Sequence, residues 1–403
     1  MSLAGLSARD RKVSHIEARE RRSPFFVETS YDRARAELAW AELEPSGSAF
    51  QSRQWLTPWF ESLAPRVRAR PLFVTVRDSS NGRALIFFAF CVRRRWGLNV
   101  AEFPDLGVTD YNAPIWAPDF ALDDEQSEAL WATIRKSVPH VDLFSFSKFP
   151  TTLYGRSVPF ANLGWLKPIE MRCWAVKLPA SREEFDATLS RKDRKEQRRK
   201  RRNLTEKFGE VVLVDAVSRE QADEFFETLK EMRAARFRQQ GRHDILRDQI
   251  FAPFFRAIAS AGQEFTSLAQ IQAGGRTIAA FLALRHANNF VLYMHSFAAD
   301  IEQLSPGIVA LDELISYLIL NKFDHCDFTI GNETYKLQFG VAASAMRQGI
   351  DPVTTRGMLF GIIFNGYQKL KRQLVKIYRK YARPIGSTPN TAKRSPFGAS
   401  NDA

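Results

Sequence analysis

Apolar and polar positions alternate along this chain in a regular succession of helical and strand-like periods. Residues 34–64 read as two helices broken at Pro45-Ser46-Gly47, with Trp55, Trp59 and Phe60 on one stripe of the second. "RPLFVTVRD" and "RALIFFAFCVRRRW" flank Asn81-Gly82, a dipeptide that suits the left-handed backbone of a tight hairpin. A Pro-rich aromatic stretch (103–119), a helix near 123–137 and a strand over 141–149 follow.

The second half repeats the theme. "WAVKLP" (174–179) is strand-like, Ser181 and Glu184 fit a helix-starting capping box, and 190–208 is a basic helix. A strand over 211–216, a helix over 218–240 and another over 245–260 come next. Three strands then form a meander, "FTSLAQIQ", "RTIAAFLALRH" and "FVLYMHSF", joined by Gly274-Gly275 and Asn288-Asn289. A helix (306–320) and a strand (325–330) complete the pattern, and strand–helix–strand requires strands 290–297 and 325–330 to run parallel. Beyond 340 no period is visible until a basic amphipathic helix near 357–381.

An internal echo links the halves: "GRALIFF" (82–88) and "GRTIAAF" (275–281) each follow a glycine turn after a helix and a first strand. Two copies of one α/β fold are expected. The divisions are a basic arm without regular structure (1–24), a first domain (25–170), a second domain with the site (171–350), the basic helix (351–385) and a tail (386–403).

Composition changes this picture in two ways. The formal charge of +13 favours anionic partners. The three cysteines, Cys91, Cys173 and Cys326, are too scattered for a disulfide framework or a zinc site, which suits a reducing compartment. No secretory signal or membrane-spanning run is apparent, so the expected location is the cytoplasm, with access to the inner membrane face through the basic helices. His325-Cys326-Asp327 does not read as a metal site: neighbours on a strand point to opposite faces and no second cluster completes a shell, so no metal is expected.

Two segments carry candidate chemistry. In "EQLSPGIVALDELISYLIL", Ser305 suits an N-cap, Pro306 the first helical position, and Ile308, Leu311, Ile315 and Leu318 one buried face. Gly307 in the first turn costs helix propensity, and leaves the backbone N–H groups open to a phosphate. The alternative is a tight turn into a helix and nothing more. In "DFTIGNETYKLQFG", a glycine ends a strand, and Glu333, Tyr335 and Lys336 follow closely.

Together these segments resemble the CelD/BcsL family of GNAT-fold acetyltransferases, linked to cellulose and exopolysaccharide synthesis. The resemblance rests on Ser305-Pro306-Gly307 and on Asp327, Phe328, Gly331, Glu333, Tyr335 and Lys336, and extends over roughly residues 30–345. It implies tandem GNAT-like folds of mixed α/β sheet, an acyltransferase, acetyl-CoA or another acyl-CoA as co-substrate, and a sugar or lipid-linked sugar acceptor. It places the cofactor on Gln303, Ser305, Pro306, Gly307 and Ile308. The usual pyrophosphate loop, [Gln/Arg]-x-x-Gly-x-[Gly/Ala], is present only in shortened form. Thioester chemistry needs a base, an oxyanion donor and an acid for the leaving thiolate. Glu333 would serve as base or anchor, Tyr335 as acid and Lys336 as anion binder, with Tyr293 and His295 as an alternative acid and base. The same double layout is similar to Fem-type peptidyl transferases, which use aminoacyl-tRNA, and the further alternative is a non-catalytic GNAT-fold scaffold of polysaccharide machinery.

The basic helix holds nine basic and two acidic residues between Arg191 and Arg202. Arg191, Arg194, Lys195, Arg198, Arg201 and Arg202 recur at helical spacing. Phosphates of the cofactor, anionic polysaccharide machinery, an anionic membrane surface and, in the Fem-like alternative, tRNA are the partners considered. The C-terminal helix, with Lys369, Lys371, Arg372, Lys376, Arg379 and Lys380 beside Leu370, Leu374, Ile377 and Tyr378, would join a membrane surface.

Overall fold

The computed structural model describes residues 23–331 and 333–363. The basic arm, the tail and most of the expected C-terminal helix lie outside the described residues, and the chain is helical from 355 to the last described residue, 363.

The first half opens with β1 (Phe25–Ser30), α1 (Arg33–Leu43) and α2 (Arg53–Ser62). Asp32 and Ser52 cap the two helices, their side chains accepting from Ala34 N and Trp55 N. Trp55 and Trp59 are fully buried, as their spacing predicts, and Phe60 packs against the same core. Strands β2 (Arg70–Asp78), β3 (Ala84–Arg95) and β4 (Leu98–Glu102) form a meander. Gly82, at φ 74°, turns the first hairpin. The short β5 (Ile115–Trp116) pairs with β3, α3 (Asp124–Ser137) crosses over, and β6 (Leu143–Pro150) lies parallel to β4. A small ribbon of β7 (Thr152–Leu153) and β8 (Arg156–Ser157) follows.

The second half runs β9 (Lys167–Lys177), α4 (Arg182–Thr188), α5 (Arg191–Phe208), β10 (Val211–Asp215), α6 (Arg219–Gln240) and α7 (Ala252–Ala259). The meander is β11 (Thr266–Ala273), β12 (Arg276–His286) and β13 (Asn289–Phe297), followed by α8 (Pro306–Leu320), β14 (His325–Ile330) and β15 (Ala342–Pro352). Helix α7 is shorter than the periodicity suggests, because the Ile245–Arg247 stretch forms a separate 3-10 turn capped by Asp244. Strand β14 is parallel to β13, as expected.

Strand β15 was not expected, since its sequence, "AASAMRQGIDP", shows neither alternation nor β-branched enrichment. It exists because two neighbours supply its ladder: it pairs with β6 of the first half and β9 of the second. The order β1-β2-β3-β4-β6-β15-β9-β14-β13-β12-β11-β10 makes a single 13-stranded sheet with β5 on its flank. The division after residue 170 falls inside β9, the strand that pairs with β14. The halves thus share a continuous ladder. On one face the aromatic core also crosses the boundary: Trp55 stands 5.0 Å from both Phe254 and Tyr293. On the other face α8 buries Leu311, Leu314, Ile315 and Leu318 against the meander, each worth about 1.5–3 kcal/mol of transfer free energy.

Candidate active site at a parting of parallel strands

Strands β13 and β14 pair only over Asn289–Val291 with His325–Asp327. Strand β13 then runs on to Phe297, while β14 is deflected. Its ladder with β9 shifts register between Asp327 and Ile330. Thr329 (φ 54°) and Gly331 (φ 138°) hold the positive-φ backbone that turns it aside. The two strands therefore part at their C-terminal ends, where an α/β sheet usually receives its ligand. A cleft of about 510 Å³ opens there, lined by Ser305–Ile308 of α8, by Phe297 and Tyr335, and by Arg236, Gln239 and Gln240 of α6.

Four of the five expected cofactor residues, Ser305, Pro306, Gly307 and Ile308, line this cleft. Gln303 sits in the preceding 3-10 turn, exposed and outside the lining. Ser305 differs from its expected role. It takes a left-handed conformation (φ 54°, ψ 52°), and its side chain caps nothing. The N-terminus of α8 is left without a side-chain cap, which suits an anionic group. Gly307 has a local reason as well: a Cβ there would stand 3.0 Å from the Phe297 ring. Arg236 supplies the cleft with positive charge; its guanidinium lies 5.9 Å from the Phe297 ring centre, and it forms no ion pair among the described residues.

The five expected catalytic residues separate into groups. Tyr335 and His295 meet, with the Tyr335 hydroxyl 3.2 Å from His295 Nε2. His295 Nδ1 is buried without a hydrogen-bond partner among the described residues. Burial, reinforced by Arg236, Lys336 and Arg233, pushes His295 down to about 3, so the ring is neutral at physiological pH. Burial pushes the Tyr335 hydroxyl above its ordinary value, so it keeps its proton. Tyr293 shares their strand, but its hydroxyl donates to Val108 O at 2.6 Å. It packs among Phe50, Trp55 and Phe255, joining the halves. Lys336 is buried, and its ammonium donates to Phe328 O (3.0 Å) and Ile330 O (2.9 Å). Glu333, half exposed, reaches back to Lys336 at 3.1 Å. In this arrangement Lys336 staples the deflected end of β14. It does not present a cation to a ligand. Gly331 leaves room for that pair, since a Cβ there would collide with the Glu333 carboxylate.

Residues outside the expected catalytic and cofactor sets fasten the deflected strand to the first half. Asp327 is buried; its Oδ2 accepts from Tyr111 (2.6 Å) and Tyr154 (3.0 Å), and its Oδ1 from Thr329 N (2.7 Å). Burial raises its carboxyl despite these donors. Tyr111 comes from the first half's 103–123 loop. Its neighbour Asp110 is half-buried, and burial pushes it up to about 6, while Lys148, the Thr329 hydroxyl and Lys336 pull it back. The internal echo contained a usable signal here. Residues 103–123 occupy, between β4 and α3, the position that 298–305 occupies between β13 and α8.

That correspondence also shows how the halves differ. The N-terminus of α3 is closed by a capping box, with Asp123 Oδ1 accepting from Gln126 N (2.7 Å) and Gln126 Oε1 from Asp123 N (3.0 Å). A carboxylate already occupies the place an anion would take. Of α3 and α8, it is α8 whose N-terminus is left without a side-chain cap.

Helix α5 presents Arg191, Arg194, Lys195, Arg198, Arg199 and Arg202 along one face. Arg201 turns inward to Asp312 (3.5 Å) and Glu313 (2.7 Å) of α8. Among the described residues no three His, Cys, Asp or Glu side chains are grouped so as to hold a metal ion. No helix among them is long and apolar enough to cross a membrane.

Residues 191–337 match the family model described as an acetyltransferase (GNAT) domain. No curated protein sequence matches the chain. Among solved structures the chain is similar to FemX, at 10% identity and a TM-score of 0.52, over 79% of this chain and 96% of that one. Weaker likenesses include the C-terminal domain of a putative lysylphosphatidylglycerol synthetase from Agrobacterium fabrum (10% identity, TM-score 0.48, 82% of this chain, 96% of that one). Another is a tandem GNAT protein from the clavulanic acid biosynthesis pathway (10% identity, TM-score 0.43, 82% of this chain, 99% of that one). The match over 191–337 gives the second half an acetyltransferase (GNAT) domain, set in the mixed sheet that both halves share, and makes the chain an acyltransferase.

Proposed function

We propose that the chain transfers an acyl group, acetyl in the simplest case, from an acyl-CoA thioester to an amine or hydroxyl of a sugar or lipid-linked sugar in cell-envelope polysaccharide assembly. The observation that carries the donor half of this reading is the cleft at the uncapped start of α8, where β13 and β14 part. Its polar end suits the phosphates: helix N–H groups face it from α8 and Arg236 from α6. Phe297, Ile308 and Leu311 provide an apolar wall for the pantetheine arm. Tyr335, which keeps its proton, suits a hydrogen-bond donor to the leaving sulfur or to the carbonyl oxygen. The acceptor class follows the resemblance to CelD/BcsL. Isothermal calorimetry with acetyl-CoA tests the donor site; saturable binding below millimolar is expected, and no heat at millimolar ligand would overturn the reading.

A second reading, transfer from aminoacyl-tRNA, is favoured by the six-residue basic face of α5 together with the similarity to FemX. It predicts RNA that copurifies and dissociates steeply with salt. RNA-free protein that binds acetyl-CoA favours the first reading.

A further inference from the structure

We propose that the helix 355–363 and the tip of the β3–β4 hairpin form one docking surface for an anionic phospholipid bilayer, on which the chain lies without crossing it.

The helix is held to the sheet by one side. Thr354 Oγ1 accepts from Gly357 N (3.2 Å) and donates to Asp142 Oδ1 (2.7 Å), while Val353 N donates to Asp142 O (2.8 Å). Gly357 and Gly361 are buried against the protein. A Cβ on Gly357 would collide with Asp142 O, and one on Gly361 would stand 3.0 Å from Pro352. Helical spacing then puts positions 358, 359, 362 and 363 on the opposite side. Met358 is 52% exposed there, Leu359 and Ile363 62%, and Ile362 72%. A surface helix ordinarily turns polar residues outward; this one projects four contiguous apolar side chains.

The hairpin tip extends the same surface. Between β3 and β4 the chain turns at Trp96 (φ 50°) and Gly97 (φ 76°). Trp96 stacks on Phe360, ring centres 4.9 Å apart, and Arg356 donates to Gly97 O (3.1 Å). Trp96 is still half exposed, with the Arg95 guanidinium 4.3 Å from its ring centre.

Charge selects the occupant. The nearby acidic side chains are engaged: Asp142 by Asn99 N and Thr354, Glu102 by Arg93 and Arg95, Asp351 by Arg135 and Trp131. Arg94 and Arg356 are exposed and form no ion pair among the described residues. From Pro352 to Asn401 the sequence holds ten basic residues and no acidic one. A second copy of the chain would bring this charge against itself, and so would the chain beyond 363 if it covered the helix. An anionic surface complements it. The apolar side chains stand on a convex ridge, for which a folded partner would have to supply a groove. A bilayer interface takes them as they are, with tryptophan and arginine at the level of the headgroups.

The test sediments the full chain with vesicles of phosphatidylcholine alone or mixed with phosphatidylglycerol. Binding to the mixed vesicles should be about tenfold stronger or more, and should weaken as salt rises. Leu359→Ser combined with Ile362→Ser should lower it by about tenfold or more, with the thermal midpoint close to wild type because both side chains are exposed. Arg191→Glu combined with Arg194→Glu, on the basic face of α5, should lower it less than the helix variant does. Equal binding to both vesicles, binding unchanged in the helix variant, or a larger loss from the α5 variant would each overturn the proposal. Absence of binding to either vesicle would overturn it in favour of a protein occupant. A dimer in vesicle-free solution that the helix variant dissociates would overturn it in favour of a second copy.

Discussion

The hydroxyl of Tyr111 donates to the carboxylate of Asp327 across 2.6 Å, a bond between residues 216 positions apart that joins the loop of one half to the deflected strand of the other. Tyr154 converges on the same oxygen at 3.0 Å and on the Tyr111 hydroxyl at 3.0 Å. A buried carboxylate is tolerated when its lone pairs are satisfied, and removing one donor exposes part of the desolvation cost. Tyr111→Phe should lower unfolding stability by about 1–3 kcal/mol, measured by urea titration. Because both phenols serve one oxygen, the double variant with Tyr154→Phe should deviate from additivity. Additive losses would mean that the two bonds act independently.

Gly307 separates a cradle from a plain turn. Gly307→Ala places a methyl group 3.0 Å from the Phe297 ring, which must shift, so a modest loss of acetyl-CoA affinity is expected. Gly307→Glu adds bulk and negative charge at the helix end, and should weaken binding by about tenfold or more, equivalent to about 1.4 kcal/mol. Calorimetry measures both. Equal affinities for wild type and Gly307→Glu would place the phosphates elsewhere.

Much of the fold was legible because it is periodic. The meanders, α8 and the parallel pairing follow from local alternation and from the need for a crossover. Strand β15 was not legible, because what makes it a strand is the pair of open ladders offered by β6 and β9, which are distant in sequence. Ser305–Ile308 and Tyr335, which line the cleft, could be singled out because glycine, proline and an aromatic sit in a recognisable order. The staple formed by Lys336 could not be read, since "ETYK" looks like a solvated turn until β14 deflects and offers two carbonyls.

Each chain should bind one acyl-CoA. The α3 N-terminus carries the Asp123–Gln126 capping box, whereas α8 carries none. Calorimetric stoichiometry near one per chain is expected, and Asp123→Ala should leave it unchanged while costing about 0.5–2 kcal/mol of stability. A stoichiometry near two would show that the first half retains a donor site.

His295 should make the chain acid-sensitive. Its folded state holds a proton poorly, with the ring pushed down to about 3 by burial and by Arg236, Lys336 and Arg233, whereas an unfolded histidine titrates near 6.5. Between those values the unfolded chain binds more protons, so His295 makes stability fall as pH drops from about 6.5 toward 3. The raised carboxyls of Asp110 and Asp327 act in the opposite direction, Asp110 between about 6 and the ordinary carboxyl range near 3.8, since they hold protons more tightly when folded. Replacing His295 isolates its share. In His295→Gln an amide can still meet the Tyr335 hydroxyl, but nothing titrates there. Urea midpoints from pH 4 to 8 should show a flatter acid limb for His295→Gln than for wild type, with the two curves diverging below about pH 6.5. Parallel curves would mean that the folded protein accommodates a charged imidazole beside Tyr335.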